Sequence, residues 1–139
     1  MKHPEVKFFI DTTVAVSALT GRNKDAWILF ESGKKRVVLL FVNDFVIKEI
    51  RRTLKELDFS QEKINYAVDY VSECCTVRKN VPNAKFPKYN IQDKNDIPIL
   101  AGAVQESAVL VTEDNALKND ANKYLVCETP SDALKKLSV

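Results

Sequence analysis

The sequence predicts an α/β fold, a three-layer α/β/α sandwich around a mostly parallel sheet. Short apolar, β-branched runs at residues 6–10, 36–42, 74–77, 108–112 and 124–127 read as strands. Stretches with helical spacing separate most of them, and strand-helix alternation implies parallel strands covered on both faces. The 139 residues suit one domain over 1–139 with one core.

The elements follow in order. Residues 6–10 are apolar and lead into polar residues, as a buried strand does. Thr12 or Thr13 can cap a helix over 14–19, which Gly21 closes. Asn23 or Asp25 caps a second helix through 26–30, with Gly33 at its stop. The continuous apolar run 36–42 suits a strand buried on both faces. Asn43 or Asp44 opens a helix in which Phe45, Val46, Ile47, Ile50, Leu54 and Leu57 recur at helical spacing. Ser60 starts another through Ile64, Ala67, Val68 and Val71, before the short strand at 74–77. Residues 81–95, rich in Pro, Asn and Lys, read as a loop. A helix from Asp96 through Val104, the strands at 108–112 and 124–127, and a short helix after Pro130 complete the chain. Trp27, Tyr66 and Tyr70 fall on apolar helical faces and read as core or interface.

Composition excludes several chemistries. The one histidine, His3, lies near the start, which removes Ser-His-Asp triads, paired-histidine ribonuclease chemistry and histidine-rich metal sites. Three glycines, Gly21, Gly33 and Gly102, cannot write a dinucleotide fingerprint or a P-loop. Cys74, Cys75 and Cys127 have no zinc spacing and read as buried or idle thiols. No apolar run approaches the roughly 20 residues of a membrane span, and the amino-terminal run is too short for a signal peptide. A cytoplasmic protein without membrane contact is expected. The net charge of +2 does not by itself signal nucleic acid, but it permits an acidic site in a basic surround.

Chemistry should therefore rest on carboxylates. In parallel sheets ligands bind beyond the carboxyl ends of strands, near a switch in strand order. Asp11 follows the first strand, Glu49 lies in the helix after the second, Asp96 opens the helix before the fourth, and Asp114 follows the fourth. Each has a plainer reading. Asp11, Asp93 and Asp96 could cap helices, Glu49 sits among Lys48, Arg51 and Arg52, and Asp114 begins a polar turn. Clustered, they would suit Mg²⁺ or Mn²⁺, which prefer oxygen ligands and can activate water against a phosphodiester. Asp93 is a further candidate beside Asp96, whereas Glu113 and Asp120 read as surface acids. Arg51, Arg52, Lys85, Lys88 and Lys94 could line an approach for phosphates, and Phe86 and Tyr89 could stack on bases.

Four segments carry a resemblance. Phe9-Ile10-Asp11-Thr12-Thr13-Val14 resembles the opening of PIN domains, usually Asp-Thr-Asn-Val before an apolar helix. Val46-Ile47-Lys48-Glu49-Ile50, Asp93-Lys94-Asn95-Asp96-Ile97 and Leu110-Val111-Thr112-Glu113-Asp114 are similar to the family's second, third and fourth acidic motifs, in order and with family-like spacing. The resemblance covers nearly the whole chain. It implies a metal-dependent endoribonuclease with Asp11, Glu49, Asp96 and Asp114 as catalytic and metal-binding acids, supported by Thr12, Thr13 and Thr112. Thr13 departs from the common asparagine, yet a threonine can still hydrogen-bond a neighbouring carboxylate or water. Many small bacterial and archaeal members are toxins neutralised by an antitoxin, so an RNA substrate, an antitoxin partner and a homodimer are expected. The rival is a PIN-like module that binds RNA or protein without cutting. Receiver domains and haloacid-dehalogenase-type phosphatases are disfavoured because Thr12 and Thr13 stand where each would need a second acid.

Overall fold

The computed structural model describes residues 6–82 and 89–137. His3, Lys85, Phe86 and Lys88 lie outside them. The elements are β1 (Lys7–Ile10), α1 (Thr12–Thr20), α2 (Lys24–Lys34), β2 (Leu39–Asn43), α3 (Asp44–Glu56), α4 (Gln61–Cys74) and β3 (Thr76–Arg78). A 3₁₀ turn (Lys94–Asp96), α5 (Ile97–Glu106), β4 (Val109–Val111), α6 (Asn115–Ala121), β5 (Cys127–Glu128) and α7 (Pro130–Leu137) follow.

The five described strands form one sheet in the order β3-β2-β1-β4-β5, with every pairing parallel. The central strand sets the register. Phe8 pairs with Leu40 on one side and Val109 on the other, and Phe9 with Phe41 and Leu110. Phe8, Phe9 and Ile10 are fully buried, the signature of a strand covered on both faces. Helix α5 packs on β1, β2 and β4, while α1 packs on α2 and α3, and α2 on α4 and α7. The chain builds outward from β1 through β2 to β3, then returns to place β4 on the opposite side of β1. The switch in strand order thus lies between β1 and β4, where parallel sheets open a crevice. Among the described residues, no helix is long and apolar enough to cross a membrane.

Helix boundaries follow cap chemistry. The Asn23, Asn43 and Ser60 side chains accept from the amides of Ala26, Val46 and Lys63, opening α2, α3 and α4. Gly21 closes α1 at φ 74°, in the left-handed region that favours glycine.

Several expectations need correction. The run 36–42 is strand only from Leu39, because α2 continues to Lys34 and Arg36 takes φ 64° in the turn that follows. Helix α4 absorbs Cys74, so β3 starts at Thr76, and its three residues are exposed at the sheet edge. The last strand is Cys127–Glu128, one residue beyond the expected apolar run. Helix α6 was not foreseen, since only Leu117 and Ala121 are buried in its seven residues. Trp27 and Tyr66 are 47% and 71% exposed and lie outside the core. Tyr70 is partly buried, stacks on Phe30 and donates a hydrogen bond to Glu31.

Gly33 does not stop α2 but lies inside it. A Cβ there would sit 2.5 Å from the Cys74 carbonyl oxygen and 2.6 Å from Leu40 Cδ1. One neighbour is backbone and the other belongs to a 2% exposed core residue, so neither gives way cheaply. Overpacking of this kind costs about 1–3 kcal/mol, against a helix-propensity gain of about 1 kcal/mol for Gly→Ala. Gly33→Ala should therefore lower the urea midpoint without changing the slope of the transition; an unchanged or raised midpoint would show that the α2–α4 contact yields.

Candidate active site

Asp11 is the first residue past β1. Its backbone N–H donates to the Val111 carbonyl at 3.0 Å, which ties the end of β1 to β4. Its side chain is 3% exposed. Although Asp11 occupies the N-cap position of α1, its carboxylate makes no cap bond. Instead Oδ2 accepts from the Thr13 hydroxyl at 2.7 Å and from the Thr112 hydroxyl at 2.6 Å. Burial pushes the carboxyl above its ordinary range, and the Thr112 and Thr13 bonds oppose but do not cancel that shift.

Both hydroxyls also act as acceptors. Thr112 Oγ1 accepts from the Asp114 N–H at 3.0 Å, and Thr13 Oγ1 from the Glu113 N–H at 3.2 Å. The two threonines therefore stitch the β4–α6 turn to Asp11. Asp114 caps α6, with Oδ1 accepting from the amides of Ala116 and Leu117 at 3.0 and 3.2 Å. Glu49 enters from α3. Its Oε1 accepts from the Thr12 hydroxyl at 2.7 Å, and Arg52 stands 3.5 Å from Oε2.

Asp96 ends the 3₁₀ turn and makes no side-chain cap bond to α5. Its half-buried carboxyl is pushed up to about 7, first by burial and then by the charges of Asp11, Asp93, Asp114 and Glu49. Asp96 thus feels the charges of the other three expected acids, and Asp11 that of Glu49. Asp93 is exposed and its Oδ1 accepts from the Asn95 N–H at 2.9 Å, a turn-capping role. Lys94 is exposed in the same turn, and Arg51 and Arg52 are exposed on α3.

Two residues read as surface acids do structural work here. The Glu113 oxygens accept from the Ser17 hydroxyl and the Asn23 amide, both at 2.7 Å, and so hold the β4–α6 turn on α1 and α2. Asp120 Oδ2 accepts from the Gln92 N–H at 2.7 Å, just before Asp93. For Glu113 the one available signal was its place between Thr112 and Asp114, past a strand end.

Three clefts border the acids. One of about 620 Å³ runs between α3 and α4 and holds Glu49, Lys48, Arg51, Arg52 and Lys55. One of about 320 Å³ is lined by Asp93, Asp96, Asp114 and Asp120 among others. A third, of about 390 Å³, joins Asp114 and Glu113 to Thr12, Thr13, Ser17 and Arg22.

The profile of the PIN domain family matches residues 7–116. The chain belongs to the PIN domain family. Solved structures agree on the fold. VapBC2 from Rickettsia felis, bound to a DNA fragment from their promoter, aligns with a TM-score of 0.67 at 19% identity, over 89% of this chain and 98% of that one. VapBC-1 from nontypeable Haemophilus influenzae aligns at 0.64 and 17%, over 91% and 99%. PAE2754 from Pyrobaculum aerophilum aligns at 0.65 and 17%, over 99% and 94%. Curated proteins give no match by sequence. PIN domains are usually metal-dependent nucleases.

The donor set of this PIN domain fits a hard divalent cation. It is made of oxygen atoms, and among the described residues the Asp96 side chain has no hydrogen-bond donor or cationic partner, while the charges of four carboxylates act on it. Among the described residues no three carboxylate, thiol or imidazole groups lie close enough together to hold a metal ion as they stand. A Mg²⁺ ion, which keeps several of its waters, would need only one or two of these carboxylates.

Proposed function

We propose that this protein is a metal-dependent endoribonuclease that hydrolyses RNA phosphodiester bonds with Asp11, Glu49, Asp96 and Asp114. The observation that carries the reading is the Asp96 carboxyl, uncompensated among the described residues and raised by burial and by the charges of Asp11, Asp93, Asp114 and Glu49, in a sheet whose strand order switches between β1 and β4. Such repulsion is unfavourable in a fold with no ligand, and a bound cation removes it.

The four acids would hold Mg²⁺ or Mn²⁺ in this reading. When bound, the ion supplies Lewis acidity for activating water and offsets charge on the phosphate oxygens. The chain's own residues do the positioning. Thr13 and Thr112 fix one oxygen of Asp11, and Thr12 fixes one of Glu49. Each hydroxyl is spent on a carboxylate, which holds that side chain in one rotamer. The cationic groove between α3 and α4, with Arg51 and Arg52 on its wall, would bring RNA phosphates up to Glu49.

The family resemblance and the fold shared with the VapBC structures support a toxin role. In that role the chain works as one domain and a homodimer, and an antitoxin segment covers the groove. The catalytic reading is tested with purified protein, labelled RNA and Mg²⁺ or Mn²⁺. Cleavage should vanish with EDTA, return on adding metal, and leave 5′ phosphate and 3′ hydroxyl ends. RNA binding without metal-dependent cleavage would instead support a non-cutting binding module.

A further inference from the structure

The α3/α4 groove reaches the acid site at Glu49. A strand cut in its interior runs on past the scissile phosphate, so a second seat is required beyond that groove. A separate cleft at the acids, of about 390 Å³, is lined by Thr12, Thr13, Ser17, Arg22, Thr53 and Asp114 among others. Its volume falls in the roughly 300–1,000 Å³ range of small-ligand pockets. It shares none of its lining residues with the α3/α4 groove, which begins at Glu49.

Its polar groups are divided in an informative way. Thr12, Thr13 and Ser17 have already given their protons to Glu49, Asp11 and Glu113. Thr53 and Arg22 have not. Among the described residues, the Thr53 hydroxyl makes no hydrogen bond and the Arg22 guanidinium makes no hydrogen bond or ion pair. Glu113 lines the same cleft and is the obvious partner for Arg22, yet its two oxygens are held by Ser17 and Asn23. The base of Arg22 is fixed even so. Gly21 turns the chain in its left-handed conformation, and the Arg22 N–H donates to the Ser17 carbonyl at 3.0 Å. An anchored backbone carries a free guanidinium at the rim of a hydroxyl-lined cleft. Among the described residues, Arg22 is also the one cation lining that cleft. Without it, Asp114 and Glu113 would repel any phosphate that entered.

We infer that this cleft seats an RNA nucleotide flanking the scissile phosphate that the α3/α4 groove does not hold, with Arg22 contacting its phosphate and Thr53 its sugar or phosphate oxygens. Arg22 is thus a substrate-positioning residue. Guanidinium geometry matches a phosphate bidentately, and hydroxyls serve ribose and phosphate oxygens alike. The inference rests on the ribonuclease reading and adds the course of the strand through the site.

The test compares wild type, Arg22→Gln, Arg22→Lys and Thr53→Val on a fluorescent single-stranded RNA oligonucleotide. Arg22→Gln should weaken binding about tenfold and reduce the slope of log affinity against log salt by about 0.7, the loss of one phosphate contact on a single strand. The loss should fall on KM rather than kcat. Arg22→Lys should recover part of the affinity and the whole slope, because the charge is kept. Thr53→Val should weaken binding severalfold with the slope unchanged. The Mn²⁺-induced rise in melting temperature should match wild type in all three variants, since none touches the acids. Wild type that cuts RNA while Arg22→Gln equals it in affinity, KM and salt slope would overturn this inference and leave the nuclease reading standing. Wild type that neither binds nor cuts RNA would overturn both.

Discussion

Asp11→Asn should reduce metal-dependent RNA cleavage by on the order of 100-fold or more, the scale of losing a group that acts on transition-state charge. The substitution keeps the shape of a side chain that is 3% exposed and removes its charge. It also replaces one carboxylate oxygen by an N–H₂ group. The Thr13 and Thr112 hydroxyls both point at Oδ2, so at most one amide orientation preserves their acceptor. The variant should fold, because the backbone bond from the Asp11 N–H to Val111 is untouched. The measurement is initial rate on labelled RNA in Mg²⁺ and in Mn²⁺, with wild type and variant purified side by side. Equal rates would assign the activity to a contaminant and remove Asp11 from the mechanism.

The second large effect is on stability rather than rate. A cation bound by the folded state alone adds about 2.7 kcal/mol at a concentration 100 times its dissociation constant. For a chain of this size that corresponds to a rise of about 5–10 °C in melting temperature. Wild type should show this rise with Mn²⁺. Asp96→Asn should melt higher than wild type without metal and lose most of the Mn²⁺ response. Asp96 is the cleanest of the four to neutralise. Asp11 accepts two hydroxyl bonds and Asp114 two amide bonds, so asparagine at either place gives up interactions as well as charge. Among the described residues, Asp96 has no such bonds to lose. Asp93→Asn should behave like wild type, since asparagine still accepts from the Asn95 N–H.

The same carboxyl sets a pH dependence. A folded value of about 7 against an ordinary 3.8 means that the folded chain holds this proton more tightly than the unfolded chain. Stability from this group is therefore gained as pH falls through about 7 and is complete near 4. Without metal, wild type should gain stability from pH 7.5 to 5.5 more steeply than Asp96→Asn, and saturating Mn²⁺ at pH 7.5 should make that gain unnecessary. If Asp93→Asn abolishes the Mn²⁺ response and Asp96→Asn keeps it, the third acid is misassigned.

Much of this molecule is determined by local sequence. The buried central strand needs only three consecutive apolar residues, Phe8, Phe9 and Ile10, because a strand covered on both faces has no polar side. Asn23, Asn43 and Ser60 announce their helices because a side-chain oxygen next to free amides is a short-range interaction. The four acids were legible for a related reason. Asp11 and Asp114 follow parallel strands on either side of the switch point, and Glu49 and Asp96 lie on helices bordering it.

What only the tertiary structure decided depends on residues far apart in the chain. Arg36 ends up in a turn rather than a strand because α2 runs on to Lys34, and Gly33 is small because Cys74 and Leu40 press on it. Helix α6 is too short for periodicity to reveal and is held by the Asp114 cap and two buried side chains. Glu113 looks solvated until Ser17 and Asn23, 96 and 90 residues away in sequence, are brought to it. The same long-range placement leaves Arg22 without a side-chain partner among the described residues, at the rim of a cleft. A hydrogen bond or a vacancy between distant residues has no local pattern, since it exists only once the parallel sheet has set β1 beside β4.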